Sequence, residues 1–337
     1  MSKVQFSKVA IVGAGAIGGW MGVHLARAGA QVSVLARGDT LAALQRDGLT
    51  LHQGGEQHTV SVQASGDAAV LGVQDLVVMA VKAPALASVA QQVGPLLGPH
   101  TVVLTAMNGV PWWFLQGFGG PVAGRSLHAV DPDGALARAL PAPHIIGCVV
   151  HASSSVDAPG VIRHHFGDGL IVGEPDGQLT PRVQALHALL QKAGFNASVS
   201  PQIQKDIWYK LWGNMTVNPV SALTGATTDR ILDDPLVRQF ISSVMLEAKA
   251  IGARIGIPID QQPEDRHVVT RKLGAFRTSM LQDVEAGKPV ELDALVTAVR
   301  ELGQLTDVQT PCTDVLLGLS RLHAQQRGLY PANRQSP

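Results

Sequence analysis

The sequence predicts an α/β domain followed by an all-α domain, and three observations support this. Short apolar runs alternate with helical patterns through the first part of the chain, which is typical of a parallel sheet covered by helices. A glycine-rich turn, GAGAIG, joins the first apolar run to the first helical pattern. After Pro201 the patterns are helical and are separated by prolines. We therefore expect domains at residues 1–200 and 201–328, with a cleft between them.

The opening segment fits a βαβ unit. Lys8–Val12 is a short apolar run that ends at Gly13 and predicts a buried strand. Ala16–Ala28 has helical periodicity and is closed by Gly29, a residue type that commonly ends helices. Gln31–Ala36 is the next strand-like run. A strand, glycine-rich turn, helix and strand within about 30 residues indicate a Rossmann-type doubly wound domain.

The alternation continues to about residue 200. Strands are predicted at Leu76–Val81, Val102–Ala106, Ile145–His151 and Asn196–Val199, helices at Pro84–Val93 and Leu179–Ala193, and a hairpin around Gly167–Gly169. In the second domain, apolar residues recur at helical spacing, most clearly in Leu236–Ile255. Residues 329–337 show no periodicity, and we expect this tail to fray.

The composition allows a large core and gives no sign of a nucleic-acid or membrane partner. Of 337 residues, 46% are hydrophobic, and 26 basic residues balance 26 acidic ones. A net charge of zero without basic clusters does not favour nucleic acid or an anionic membrane. No apolar run approaches the roughly 18 residues of a membrane span, and the start does not resemble a signal peptide. With Cys148 and Cys312 as the only cysteines, we expect a cytoplasmic protein.

The glycine-rich turn stands where a dinucleotide-binding motif requires it, directly after a strand and at the start of a helix. The motif G-x-G-x-x-G consists of Gly13, Ala14, Gly15, Ala16, Ile17 and Gly18. Its glycines permit a tight turn, close approach to a pyrophosphate and close helix packing. The N-terminal end of the helix also attracts phosphates. We expect all six residues to bind the cofactor; an ordinary glycine-rich turn is the alternative.

The residue after the second strand indicates which dinucleotide is bound. NAD-preferring sites usually have Asp or Glu there, to bind the ribose 2′-hydroxyl. This chain has Arg37, whose guanidinium would pair with a 2′-phosphate that a carboxylate would repel. We therefore predict NADP(H). A solvated arginine is the alternative, and the nearby Asp39 leaves NAD(H) open.

A polar strip in the second domain is the most informative feature for function. Lys210, Asn214 and Asn218 stand four residues apart among apolar residues, and each step of four turns a helix by about 400°. One ammonium and two carboxamides would therefore lie along one face. Such a strip suits a carbonyl oxygen that becomes an alkoxide. A solvated surface stripe is the alternative.

Two further polar residues follow predicted strands. Lys82 and Asn108 come after LVVMAV and TVVLTAM. Ligands of open parallel sheets gather beyond the carboxyl ends of the strands, which nominates both residues for the nicotinamide end of the cofactor. A loop lysine and a turn-forming Asn-Gly are the alternatives.

These segments together resemble the ketopantoate reductase (2-dehydropantoate 2-reductase) family. The resemblance covers about residues 8–325 and rests on GAGAIG, the Arg37 strand end, VMAVKA, MNG, KLWGNMTVNPVSALTGA and SMLQDVEAGKPVELD in this order. It implies a Rossmann domain, a helical domain, and reduction of 2-dehydropantoate to pantoate with NADPH.

The resemblance also implies roles for single residues. Lys210 would be the proton donor, and Asn214 and Asn218 would contact the substrate. Lys82 and Asn108 would lie at the junction of cofactor and substrate. Ser279 would bind the substrate carboxylate, and Glu291 would lie near the cofactor. From the sequence alone, Ser279 can equally be a helix-face serine, and Glu291 can favour a helix dipole.

The chain departs from the family pattern at three places, one of which is the stretch Gly117–Pro143, longer than in compact members. The segment around Trp112, Trp113 and Phe114 is apolar where a shorter, more polar loop is expected, and these rings can line the cleft or pack between the domains. Thr228 stands where some members have asparagine. These departures leave the hydride chemistry intact but keep the exact substrate open.

Two other functions remain alternatives. The chain can be a paralogue that acts on another small or bulkier keto or hydroxy acid, or a sensor that binds NADPH without catalysis. A metal site at His151, His164 and His165 is not expected, since no carboxylate or thiol joins them at ligand spacing. A helical domain with exposed apolar faces is compatible with a homodimer, although no heptad seam is present.

Overall fold

The computed structural model describes residues 4–332, which form two compact units. The first unit comprises the residues to 107 together with 135–203, and the second comprises 108–134 and the residues from 204 onward. The sequence placed the boundary between the domains at 200, and the first unit ends at residue 203. Residues 108–134, however, belong with the helical unit, although the sequence assigned them to the α/β domain.

The first unit contains all ten strands of the described residues and six helices. The strands are β1 Lys8–Val12, β2 Gln31–Leu35, β3 Leu49–Gln53, β4 Glu56–Val60, β5 Gln63–Ser65, β6 Leu76–Met79, β7 Val102–Ala106, β8 Ile145–Ala158, β9 Val161–Gly173 and β10 Asn196–Val199. The helices are α1 Ala16–Arg27, α2 Gly38–Asp47, α3 Ala68–Leu71, α4 Ala83–Ala90, α5 Ala135–Ala139 and α6 Pro181–Lys192.

One sheet organises this unit. Its strand order is β4-β3-β9-β8-β7-β6-β1-β2-β5, and β10 pairs with β9. β1 is parallel to β2 on one side and to β6 on the other. Strand β2 follows β1 on one side, and the later strands β6 and β7 continue the sheet on the other side. The carboxyl end of β1 is therefore the point where the strand order reverses, and ligands of doubly wound folds bind at such a point. The central strands β1, β2, β6 and β7 are short, buried apolar runs, as is typical of parallel strands that are covered on both faces.

Two local predictions in this unit were wrong. The hairpin turn lies at Gly160, between β8 and β9, and not around Gly167–Gly169, which lies inside β9 opposite an irregular register. Gly167 has a φ of +79°, as glycines at β-bulges often do. The strand predicted at Ile145–His151 ends too early, because β8 continues through Ser153–Ser155 to Ala158. The serines were misleading because a long two-stranded ribbon tolerates polar residues where its faces are exposed.

The second unit is helical. Its helices are α7 Ile203–Thr224, α8 Thr228–Asp233, α9 Pro235–Arg254, α10 Pro263–Arg271, α11 Ser279–Glu285, α12 Ala298–Leu305 and α13 Pro311–Gln326, and a π-helical turn, Asp293–Thr297, precedes α12. The fold class is therefore as predicted: a Rossmann-type sheet domain and a helical domain. Among the described residues, no helix has the length and hydropathy to cross a bilayer.

Residues 108–134 join the helical unit through specific contacts. Trp113 and Phe114 are buried, and the Phe114 ring lies 6.0 Å from that of Trp208 on α7. The Glu301 carboxylate of α12 accepts hydrogen bonds from the backbone N–H groups of His128 (2.7 Å) and Ala129 (2.8 Å). The aromatic residues therefore form part of the core of the helical unit.

The C-terminal tail is packed further than expected. Leu329 and Tyr330 are buried, and the Tyr330 hydroxyl donates to the Asp293 carboxylate at 2.7 Å. These contacts order the segment after α13, which aperiodic sequence alone does not indicate. Residues 333–337 of the predicted tail lie outside the described residues.

Candidate functional site

The first unit carries the glycine-rich turn at the switch point of its sheet. Gly13 has a φ of +96°, and a Cβ there would lie 2.7 Å from Val81 Cγ1. A Cβ at Gly18 would lie 2.1 Å from the Gly13 carbonyl oxygen. Packing within the protein therefore requires both glycines. Gly13 lets the turn lie against the loop after β6, and Gly18 lets helix α1 pack against the backbone of the turn.

Gly15 differs from both, because a Cβ there would meet nothing within 4 Å. It caps α1 without a side-chain hydrogen bond, and the first turn of α1 has no acidic residue. The space beside Gly15 is therefore open, and no acidic side chain in the first turn of α1 competes for an anion at this helix end. Such a cradle fits a pyrophosphate, so the residues present suit the predicted dinucleotide.

This difference gives a testable prediction. We expect Gly15→Ala to leave the melting temperature nearly unchanged but to weaken dinucleotide binding at least about tenfold, since the added methyl group enters space needed by the phosphates. Gly18→Ala should instead lower the melting temperature, because its Cβ collides with backbone. Thermal unfolding and fluorescence titration with NADPH measure the two effects. Equal NADPH affinity in Gly15→Ala and the unmodified protein would contradict the assignment.

Arg37 and Lys82 lie at the starts of helices that follow two strands flanking β1. Arg37 precedes α2, directly beyond the end of β2, and its exposed guanidinium makes no hydrogen bond or ion pair with the described residues. Lys82 precedes α4, just after the loop that Gly13 contacts, and is also exposed. Both side chains are thus accessible to a ligand at this end of the sheet.

In the second unit, α7 carries the polar strip. Lys210 and Asn214 are partly buried, and Asn218 is only 7% exposed. The opposite side of α7 is fixed in the core: Trp208 and Trp212 are buried, and the Trp212 indole N–H donates to the Met245 carbonyl at 2.7 Å. The strip is therefore not a fully solvated stripe. Packing holds the helix and sets the direction of its polar face.

The strip is joined to Asn108 by a direct hydrogen bond. Lys210 Nζ donates to Asn108 Oδ1 at 2.8 Å. Asn108 is held by the residues after it: the Val110 N–H donates to the Ala294 carbonyl at 2.8 Å, and a Cβ at Gly109 would lie 2.6 Å from that oxygen. Only glycine, here at φ +82°, permits this approach. The Asn-Gly pair thus docks onto the π-helical turn, a feature often found at functional sites.

The remaining predicted residues lie on neighbouring segments of this unit. Ser279 is exposed at the start of α11, and Glu291 is 9% exposed just before the helical turn at 292. Their neighbours Met280, Val290 and Leu292 line one shallow, partly open pocket together with Pro219 of α7. The segments that carry Asn218, Ser279 and Glu291 therefore converge, while their direct roles stay predictions.

Thr228, which replaces an asparagine of some family members, has a structural contact. Its hydroxyl donates to the Gly274 carbonyl at 2.6 Å, and its N–H donates to the Phe276 carbonyl at 3.0 Å. These bonds attach the start of α8 to the loop that leads into α11 and Ser279. A substrate contact by this side chain has no support in the geometry.

Sequence reasoning missed one charged residue beside the strip. Arg266 of α10 reaches α7 and lies over the Tyr209 ring, with its guanidinium carbon 5.2 Å from the ring centre. The sequence contained one indication that another side chain packs here. Gly213 stands alone within a long helical pattern, and such an isolated glycine can mark close packing.

Comparison with known proteins identifies the family. The model of ketopantoate reductase PanE/ApbA matches residues 9–177, and that of its C-terminal domain matches residues 202–324. The 2-dehydropantoate 2-reductase of Mesorhizobium japonicum is 46% identical over 324 residues, covering 96% of this chain and 99% of its own.

Solved structures agree. A Ralstonia solanacearum protein provisionally assigned as a ketopantoate reductase is 58% identical, with a TM-score of 0.94, covering 97% of this chain and 100% of its own. The 2-dehydropantoate 2-reductase of Geobacter metallireducens is 27% identical, with a TM-score of 0.82, covering 94% and 99%.

These matches cover both units and confirm the predicted resemblance. The family uses NADPH, as the sequence predicted, and its members are oxidoreductases that act on a CH–OH or C=O group. The chain, with its dinucleotide cradle, its lysine–asparagine strip and its two-unit fold, belongs to the ketopantoate reductase family.

Proposed function

We propose that this protein reduces 2-dehydropantoate to pantoate with NADPH, and that Lys210 is the proton donor. The observation that carries the proposal is the 2.8 Å hydrogen bond from Lys210 Nζ to Asn108 Oδ1, on a helix face that also presents Asn214 and Asn218. Family membership supports the same reaction.

NADPH, when bound, supplies the hydride that adds to the carbonyl carbon. The carbonyl π electrons then move to oxygen, where negative charge develops. A nearby ammonium stabilises this charge and transfers a proton to the oxygen, which completes the alcohol. Asn108 accepts from Lys210 and so orients the ammonium. Asn214 and Asn218 can hydrogen-bond the substrate hydroxyl and carbonyl without adding charge.

Other residues would bind the two ligands. The backbone at residues 13–18 would hold the pyrophosphate, Arg37 the 2′-phosphate, and Lys82 and Glu291 would lie near the cofactor. Ser279, exposed at the N-terminus of α11, would hydrogen-bond the substrate carboxylate.

Oxidation of NADPH at saturating 2-dehydropantoate, followed by absorbance, tests the proposal. Controls omit the keto acid, replace NADPH by NADH, or replace the substrate by a panel of small and aromatic 2-keto acids. Turnover of 2-dehydropantoate with the highest kcat/KM supports the proposed substrate. A higher kcat/KM for another acid would instead indicate a paralogue. Tight NADPH binding without turnover of any acid would indicate a sensor.

We also propose a homodimer. Val315, Leu319 and Leu322 form an exposed apolar stripe on α13, with each side chain more than half exposed. Contiguous apolar surface can mark a site of protein association, and the three residues are spaced to share one face of α13. Light scattering should give twice the chain mass, and Leu319→Glu should lower it towards that of a monomer. A monomeric mass for the unmodified protein at micromolar concentration would contradict this.

A further inference from the structure

The Arg266 guanidinium packs against α7 at Gly213, in a position that a larger residue at 213 would block. We call this position, between Gly213 and Tyr209, the seat. A Cβ at Gly213 would lie 2.7 Å from Arg266 Nε and 3.0 Å from Nη2. Tyr209, one turn earlier on α7, forms the other side of the seat, with the guanidinium carbon 5.2 Å from its ring centre. The planar guanidinium therefore lies against both the helix backbone and an aromatic face.

This cation lacks an anionic partner. The guanidinium makes no ion pair with the described residues, and its Nε is buried without a hydrogen-bond partner. Burial lowers the pKa of Arg266, and the neighbouring Tyr209 hydroxyl opposes that shift. A buried charge is normally paired, because removing it from water is costly. A guanidinium that has a tyrosine hydroxyl but no anion beside it is suited to a carboxylate, which its terminal N–H groups can bind with two hydrogen bonds.

The seat adjoins Lys210. Gly213 is three residues after Lys210 and one before Asn214. At about 100° per residue, Gly213 lies roughly 60° from Lys210 on one flank, and Asn214 lies roughly 40° away on the other. Residues three apart on a helix are surface neighbours. The guanidinium thus contacts the same helical turn that presents the ammonium of Lys210.

We propose that Arg266 binds the carboxylate of the 2-keto acid substrate and thereby selects acids over neutral ketones. This inference rests on the function proposed above. A 2-keto acid has its carboxylate next to the carbonyl, so a second cation beside the ammonium matches the substrate's two polar groups. Ser279, an uncharged donor, cannot by itself supply that charge. Arg266 is then a substrate-binding residue, separate from the proton donor.

Two variants test the proposal in different ways. Arg266→Gln removes the cation, whereas Gly213→Ala keeps it but displaces the guanidinium from its seat. Gly213→Ala should remain folded, because alanine has the higher helix propensity and the atoms it meets belong to a flexible side chain. Arg271→Gln is the matched control, since Arg271 is on the same helix but is exposed and pairs with Asp233 at 2.6 Å.

We expect both variants to raise the KM for 2-dehydropantoate and the Kd of the product pantoate, measured by calorimetry with NADP⁺ bound. The increase should be roughly 10- to 100-fold for Arg266→Gln, as for other hydrogen bonds to charged groups. The Kd of the neutral pantolactone and the Kd of NADPH should change less than about twofold. Arg271→Gln should behave like the unmodified protein.

The outcomes separate this inference from the proposed function. If the unmodified protein turns over no keto acid, the proposed function fails. If it is active and the folded variants keep their KM and pantoate affinity within about twofold, Arg266 does not bind the carboxylate. Equal losses for pantoate and pantolactone would show a merely structural role. If Arg266→Gln fails to fold, Gly213→Ala decides between these outcomes.

Discussion

Replacing Lys210 with alanine should lower kcat by about 10²–10⁴-fold, the usual contribution of a positioned proton donor. The ammonium is held at 2.8 Å from Asn108 Oδ1, and alanine removes both the proton and the positive charge that stabilises the developing alkoxide. Affinity for NADPH should change little, because Lys210 belongs to the substrate side of the proposed site. Steady-state kinetics and fluorescence titration with NADPH measure the two quantities.

Lys205→Ala provides the matched control for this prediction. Lys205 is on the same helix, one turn and a half before Lys210, but its side chain is exposed. Its replacement should leave kcat unchanged. If Lys210→Ala instead retained kcat and lost NADPH affinity, the lysine would be a cofactor contact and the proton would come from another group.

Replacing Arg37 with aspartate should shift the ratio of kcat/KM for NADPH to that for NADH by about 100-fold or more towards NADH. The variant loses charge-assisted hydrogen bonds to the 2′-phosphate. It also places a carboxylate where NAD-dependent enzymes bind the ribose hydroxyls. We expect the substitution to change the free energy of unfolding only slightly, because Arg37 is exposed and lies beyond the end of β2. Kinetics with each cofactor at saturating keto acid measure the ratio.

Arg27→Asp makes the same change of charge at the opposite end of α1. Arg27 is exposed and lies in the last turn of that helix, away from the glycine-rich turn. It should leave the cofactor ratio unchanged, which separates a local contact from a general change in charge. A ratio that stays the same in Arg37→Asp would exclude this guanidinium from the 2′-phosphate site.

Local sequence patterns were sufficient for the elements that depend on short-range order. The βαβ opening, the strand Val102–Ala106 and the four-residue spacing on α7 follow from periodicity and glycine placement. Errors arose where distant contacts decide the structure. Gly167–Gly169 has the composition of a turn, yet cross-strand pairing extends β9 through it. Leu329 and Tyr330 lack periodicity, yet they are buried by packing.

The sequence by itself determined the two-part fold, the family, the dinucleotide motif and the lysine–asparagine strip, since each is encoded by residues close together along the chain. Only the tertiary structure decided that Asn108, 102 residues before Lys210, accepts its hydrogen bond. It alone placed residues 108–134 in the helical unit and seated Arg266 against Gly213. Contacts of this kind depend on how packed helices and loops bring remote side chains together, and no local pattern encodes that arrangement.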